Sequence, residues 1–578
     1  MRKGNSIYGI IAVLLLSLGA CSLIHDDMEE LGYREDGSAY AYVSLTIHTG
    51  TTGNVTRSNP TGGETGDGYE DGQTYENAVK DLTLFFYPAT LGDGGVNRKG
   101  NIDFTAKVYI DQMGTSTDGT QPIDKTFTVG PVKVNGLKTN QQYHVLAVAN
   151  AENQTNITSL NDLRSATVST VYTATTSTEG TTSYSNFVMA SEGDENPVLE
   201  ISYENSETNP AETTIDLERL VARVDYQVGD NADTDFEIDG RQITATITRA
   251  FLVNTYNQDT YVLKRVATDI GGTPEYLGKE TYNNYVIDPN TSKKTLASTH
   301  ASWYDHYFPN LSDEVGNDGM TEWEDWLIVG DKVEDPDPNV ENREWYRLGY
   351  PKENTSSVDA QGKYYSTGVV FEASYKGIDG VADGSTFFRY KGTIYPTLEA
   401  AMKATYKEDS FKEDKTFDTF DILTQYINSL PGNEDPAGYK DYLKTATADN
   451  FDGSLWTWEN YKHNVLSFDK NEQNEYVATA KTREALHDRG HGTETFLNGR
   501  GYYIYWIRHN GGDSNTTTQF DETRPMAYGI VRNNVYKLTV NSISKIGDDT
   551  PGGNATLDIL VAVKNWQKLP DDEVEWNN

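Results

Sequence analysis

The feature that most constrains this chain is a period of two. Residues 39–48 read AYAYVSLTIH, in which Ala41, Val43, Leu45 and Ile47 alternate with Tyr42, Ser44, Thr46 and His48. A strand puts every second side chain on one face, so this stretch reads as a half-buried β-strand. The signal recurs at Leu82, Leu84 and Phe86, and at Phe104, Ala106, Val108 and Ile110. It recurs again at Phe127 and Val129, at Leu199 and Ile201, and at Ile243, Ala245 and Ile247. Residues 143–150 and 187–189 are apolar without alternation, as buried strands are, and further strands are expected at 502–507, 528–542 and 557–566. Short strands separated by polar turns describe a β-sandwich.

Helical spacing is rare. A short helix is expected at 159–164. Two more are expected at 397–406 and at 417–430, where Phe420, Leu423, Tyr426, Ile427 and Leu430 keep one face and Pro431-Gly432 ends the run. The rest of 255–500 reads as loop. The fold expected is all-β: two sandwich domains with long loops and a few short helices. A chain of 578 residues exceeds what one core sustains. The polar stretch 204–214 reads as a linker, and the run Leu217–Tyr226 opens a second unit. The expected boundaries are 58–214 and 215–554, with 555–578 as a C-terminal extension.

Composition narrows the function. The chain has 38 Tyr, 18 Phe and 9 Trp, enough aromatic surface for real cores, and a net charge of −39. A surface of that sign repels a phosphate backbone, so no nucleic-acid partner is expected. One cysteine, Cys21, permits neither an internal disulfide nor a thiolate zinc cluster. Residues 1–21, MRKGNSIYGIIAVLLLSLGAC, have a basic start, a short apolar core and small residues before Cys21, which makes them a signal peptide. Leu18-Gly19-Ala20-Cys21 matches the bacterial lipobox, in which the cysteine is acylated and becomes the new N-terminus. The competing reading is an ordinary signal peptide with a chance cysteine. An exported lipoprotein at the outer membrane is the expectation.

Residues 49–78 are rich in Gly, Thr, Asn and Asp, little in them is apolar enough to pack, and Arg57 is the single basic residue. A long polar loop of this kind is where proteases cut most readily. From spacing alone Arg57 reads as an ordinary solvated residue, and Arg34 is a second possible cut that would leave strand 39–48 in place.

No residue set announces catalysis. His487 and His491 are four apart, but Gly490 and Gly492 oppose a helix there. Asp67, Glu70 and Asp71, or Asp331, Asp335 and Asp337, lack the calcium-loop spacing and read as solvated acidic loops. No cofactor and no metal are expected. There is no nucleophile elbow, phosphate loop or zincin motif.

The lipobox, the early strand, the arginine loop, the Leu217–Tyr226 run and two C-terminal stretches occur in a specific order. Those stretches are Gly529–Ile543, GIVRNNVYKLTVNSI, and Ile559–Trp566, ILVAVKNW. Together these features resemble the Bacteroidales fimbrillins, and within them the shaft subunits of minor (Mfa-type) fimbriae. Region 255–500 carries little of the likeness. The resemblance implies two transthyretin-like sandwich domains, export as a lipoprotein, and cleavage by an arginine-specific protease in the loop after the first strand. Departure of that strand opens a groove that the C-terminal segment of another copy fills, giving donor-strand exchange. Transferred residue by residue, the removable strand carries Ala41, Val43, Leu45 and Ile47. The cut falls between Arg57 and Ser58, so that 22–57 is a propeptide. The donor lies within 555–578. It is either the strand with Leu557, Ile559, Val561 and Val563 or a shorter tail with Val574 and Trp576; in the second case 557–566 is the last strand of the second domain. The implied partners are other copies, anchor and tip subunits, the protease, and the membrane through the lipid. Losing four such side chains forfeits roughly 4–10 kcal/mol of burial. An anchor or tip subunit and a glycan-binding surface lipoprotein are the alternative readings.

Overall fold

The architecture was analysed in a computed structural model. It describes residues 34, 38–49, 69–70, 72–90, 94–97, 100–111, 126–152, 154, 156–178, 182–192, 197–272, 284–298, 303–304, 326–333, 344–396, 400, 468–470, 476–478, 493–509, 521–552 and 555–566. The chain is all-β, with three principal sheets and two short α-helices among the described residues.

The first sheet runs Ala106–Ile110, Leu82–Pro88, Gln141–Ala149, Met189–Ser191, Ala211–Arg219, Tyr40–His48, Thr126–Asn135, with Val198–Ile201 paired to 141–149. Val43 and Leu45 from one end of this path share a core with Leu84 and Phe86 from the other. Inward residues of distant strands thus meet across one interior, as a sandwich requires. The second unit packs two sheets face to face. One runs Asp331–Val333, Trp345–Gly349, Arg223–Asp233, Asn534–Ser542, Asp558–Trp566, Tyr69–Glu70. The other runs Asp235–Ile238, Arg241–Val253, Gly368–Lys376, Arg500–Trp506. Val224, Leu538 and Val561 from the former meet Val369, Phe371 and Tyr503 from the latter.

The helix expected at 159–164 forms at Leu160–Ser165 for the reason a capping box predicts. The Ser159 hydroxyl accepts from the Asp162 amide at 3.2 Å, and the Asp162 carboxylate accepts from the Ser159 amide at 2.9 Å. The helices expected at 397–406 and 417–430 fall outside the described residues, Ala400 excepted.

Four details differ from the sequence reading. Stretch 204–214 is not a free linker, because strand Ala211–Arg219 starts inside it. The run Leu217–Tyr226 is divided between the two units: Arg219 ends a strand of the first sheet and Arg223 begins one of the second. Between them Leu220 N–H donates to the Val188 carbonyl at 3.0 Å and Ala222 N–H to the Pro351 carbonyl at 2.9 Å, so the turn is fixed from both sides. The strand expected from 528 begins only at Asn534, because Asn533 sits at φ 55°. Within the expected loop region, Gly368–Lys376 is a central strand of the third sheet. Its Val369-Val370-Phe371 core was the legible signal.

Candidate functional site: an interior N-terminal strand and its moorings

Strand 40–48 lies inside the first sheet. It pairs in parallel with 211–219, Val43 opposite Ala211 and Ile47 opposite Ile215. On its other side it pairs antiparallel with 126–135, Ala41 opposite Val134 and Ile47 opposite Phe127. Ala41, Val43, Leu45 and Ile47 are all buried, none more than 2% exposed. Along the strand path it alone joins 126–135 to 211–219.

Both ends are moored. At the start, the Arg34 guanidinium lies 4.4 Å and the Lys133 ammonium 3.8 Å from the Tyr40 ring centre, and Arg34 Nη2 donates to the Asn205 carbonyl at 2.9 Å. At the end, His48 Nδ1 and Asp216 Oδ1 are 2.7 Å apart. Beyond it, Arg219 Nη2 donates to the Thr49 carbonyl at 3.2 Å.

The next described residues after Thr49 are Tyr69 and Glu70, and they belong to the second unit. They form a parallel edge against Asn565 and Trp566. Glu70 accepts from Lys537 Nζ at 2.7 Å and pairs with Arg223 at 3.3 Å. The helix Thr74–Asn77 follows. Its Glu76 side chain pairs with Arg223 at 3.0 Å and accepts from the Tyr350 hydroxyl. The sequence reading left this stretch as loop with nothing to pack. It packs because its partners arrive from 223, 350 and 537, far along the chain.

The junction is electrically self-consistent. Burial disfavours the charge of Arg223, but Asp225, Glu76 and Glu70 outweigh it and hold its pKa above the ordinary value. Arg219 has fewer counter-charges. Burial lowers its pKa to about 10, with Glu76 partly opposing that, so it is still a cation at neutral pH. Arg219 Nε donates to the Glu76 carbonyl at 2.8 Å, Nη1 to Asn533 Oδ1 at 3.2 Å, and Nη2 also to Asn77 Oδ1. Sequence reasoning missed these residues. The available signal was two arginines inside LERLVARV, where Glu218 is the one other polar residue.

Of the residues singled out from sequence, Leu557, Ile559, Val561 and Val563 are buried in the core of the second unit, the last three on a strand paired antiparallel to 534–542 and Leu557 just before it. Cys21, Arg57, Ser58, Val574 and Trp576 lie outside the described residues, as do Asp67, Asp71, Asp335, Asp337, His487 and His491. Asp331 pairs with Arg347. Among the described residues no three His, Cys, Asp or Glu side chains form a metal-binding group.

Residues 494–572 match the family model "Major fimbrial subunit protein type IV, Fimbrillin, C-terminal". Over that segment the chain is similar to the fimbrial subunits that the model describes. The matched segment holds strands 500–506, 534–542 and 558–566, which contribute to both sheets of the second unit. A comparison with curated proteins gives no match. Among solved structures, a fimbrilin from Porphyromonas gingivalis W83 aligns at 12% identity over 92% of this chain and 99% of that chain, TM-score 0.34. The tip fimbrial protein Mfa3 from the same species, with a C-terminal truncation, aligns at 10% identity over 91% and 100%, TM-score 0.31. The fimbrial anchor protein Mfa2 aligns at 9% over 58% and 78%, TM-score 0.18. The likeness to a family model is confined to residues 494–572.

Proposed function

We propose that this protein is a fimbrial shaft subunit that polymerises by strand exchange. It is exported as a lipoprotein through Cys21, cut after Arg57 by an arginine-specific protease, and then releases strand 40–48. The observation that carries the proposal is the interior position of that strand. Its departure would strand 126–135 away from 211–219 and expose both facing edges together with an apolar trough, a defect that strand addition from another chain repairs.

The moorings support the same reading. Residues on either side of Arg57 are anchored separately, Thr49 on the first unit and Glu70 on the second. A cut between them would free strand 40–48 while Glu70 and Glu76 kept the rest of the chain in place. Leu557, Ile559, Val561 and Val563 already fill the second unit's core, so the donor role falls to the residues after Trp566, with Val574 and Trp576 as its apolar side chains. The partners are further copies of the chain, with anchor and tip subunits at the fibre ends.

The test uses protein lacking residues 1–21, treated with an arginine-specific protease and followed by mass spectrometry and unboiled denaturing gels. A new N-terminus at Ser58 with heat-labile ladders is expected, and neither in Arg57→Ala. Ladders persisting in Arg57→Ala would overturn the proposal. A cut without ladders would favour a tip subunit, and an uncut stable monomer an anchor.

A further inference from the structure

A cleft of about 560 Å³ opens where the two units meet. One wall comes from the first unit, residues 169–172 and Tyr184. The other comes from the second, residues 251–252 and 255–257, Trp326, Ile328 and 348–352. The volume lies within the range of small-molecule sites.

Its chemistry is specific. No Asp or Glu lines it, in a chain that carries 87 of them. The one charged lining residue, Lys352, donates its ammonium to the carbonyls of Ser169 at 2.6 Å and Gln258 at 2.8 Å. That cation ties the two walls together. The surface is instead a mixture of rings, among them Tyr172, Tyr184, Tyr256 and Trp326, and small neutral hydrogen-bonding groups, Thr170, Thr255 and Asn257.

The rings are held in place before any ligand arrives. Tyr184 stands edge-on to Tyr350 at 4.9 Å and 72°, and to Tyr172 at 5.7 Å and 66°. Trp326 packs on buried Phe251 at 5.8 Å. Its segment is pinned by reciprocal backbone hydrogen bonds between Ile328 and Ala250, at 2.8 and 3.0 Å. The Tyr256 hydroxyl accepts from Asn290 Nδ2 at 2.8 Å.

We infer that this cleft is a binding site for a neutral carbohydrate, on the scale of one or two sugar rings. A pyranose has an apolar C–H face and a rim of hydroxyls. The electron-rich faces of Trp and Tyr suit the first, and neutral hydroxyl and amide groups suit the second. A purely apolar ligand would cover the hydroxyl and amide groups of Thr170, Thr255 and Asn257 without offering them a hydrogen bond. An anion would meet no uncommitted lining cation and a protein of net charge −39. The site does not depend on polymerisation, since both of its walls belong to one chain.

The experiment is saturation-transfer NMR and tryptophan fluorescence on the uncut monomer. The probes are glucose, galactose, mannose, N-acetylglucosamine and lactose, with N-acetylneuraminate as an anionic control. Saturable binding of at least one neutral probe is expected, weakened about tenfold or more by Trp326→Ala, equivalent to roughly 1.4 kcal/mol, and measurably by Thr170→Ala. Thr170 is exposed, so its variant tests the site without risk to the fold. Three results would overturn the inference: no saturable binding by any neutral probe, equal binding of the anionic control, or affinity unchanged in both variants. Burial of the cleft in assembled fibres, seen by hydrogen exchange, would reassign it as a contact between copies. Failure of ladder formation in the protease experiment leaves this outcome unaffected, so the two proposals fail separately.

Discussion

Arg219 donates to the carbonyl of Thr49 at 3.2 Å, with both residues fully buried. Through this bond the last residue of the N-terminal strand segment is held by the same guanidinium that bonds the Glu76 carbonyl, Asn77 and Asn533. One side chain therefore joins the first strand, the capped helix 74–77 and the second unit.

Replacing Arg219 by Ala removes a buried guanidinium and its hydrogen bonds to Thr49, Glu76, Asn77 and Asn533. Removing one partner from a buried charged network costs about 3–5 kcal/mol. Urea unfolding of Arg219→Ala is expected to show a loss of that order. Arg219→Lys should recover little, because an ammonium cannot reproduce the planar fork that reaches four acceptors. Wild-type midpoints in the Ala variant would show that the network is dispensable.

Gly130 faces strand 40–48 at its closest approach. It has φ +114°, and a Cβ there would lie 2.4 Å from the Val43 carbonyl oxygen. Both the dihedral and the contact reject a side chain. Gly130→Ala is expected to loosen strand 40–48 by about 1–3 kcal/mol, read as faster amide exchange at Val43 and Leu45 than in strand 534–542. Uniform exchange rates across both units would count against this.

Asp81 is 5% exposed, and its Oδ1 has no hydrogen-bond partner among the described residues. Burial raises its pKa above the ordinary 3.8, with the backbone of Glu152 and the charge of Lys80 opposing in smaller measure. The fold thus favours the protonated carboxyl. This contribution is complete below the unfolded value and is lost as pH rises through the raised one. Asp81→Asn is expected to be more stable than wild type at neutral pH, with the difference closing as pH falls toward 3.8. Thermal unfolding of both proteins across that window checks it.

Val561 is 3% exposed in the core between the second unit's sheets. Val561→Asp would bury a carboxylate against Leu538 and Phe371, neighbours in that core, and is expected to unfold the second unit. Deleting residues 567–578 should leave the circular dichroism of the monomer unchanged and abolish ladders after cleavage. If Val561→Asp folds normally while forming no ladders, strand 558–566 is itself the donor.

Much of this was legible in residue order. Alternation at Ala41 to Ile47 identified a strand with one buried face, and the fold buries those four side chains. The short helix expected at 159–164 forms at Leu160–Ser165. Other features gave no local sign. Glu70 and Glu76 look like solvated loop acids, because their partners stand at 223 and 537. Val369 to Phe371 were passed over amid polar neighbours, and the cleft residues are scattered from 169 to 352.

The sequence by itself determined the strand periods and the all-β class. These depend on side-chain pattern within a few residues, which a chain carries wherever it goes. Only the tertiary structure decided that strand 40–48 is interior, that 558–566 completes its own domain, and that Arg219 and Arg223 bind the two units together. Pairing partners and the desolvation of charge are set by residues hundreds of positions apart, and no local pattern encodes which of them will meet.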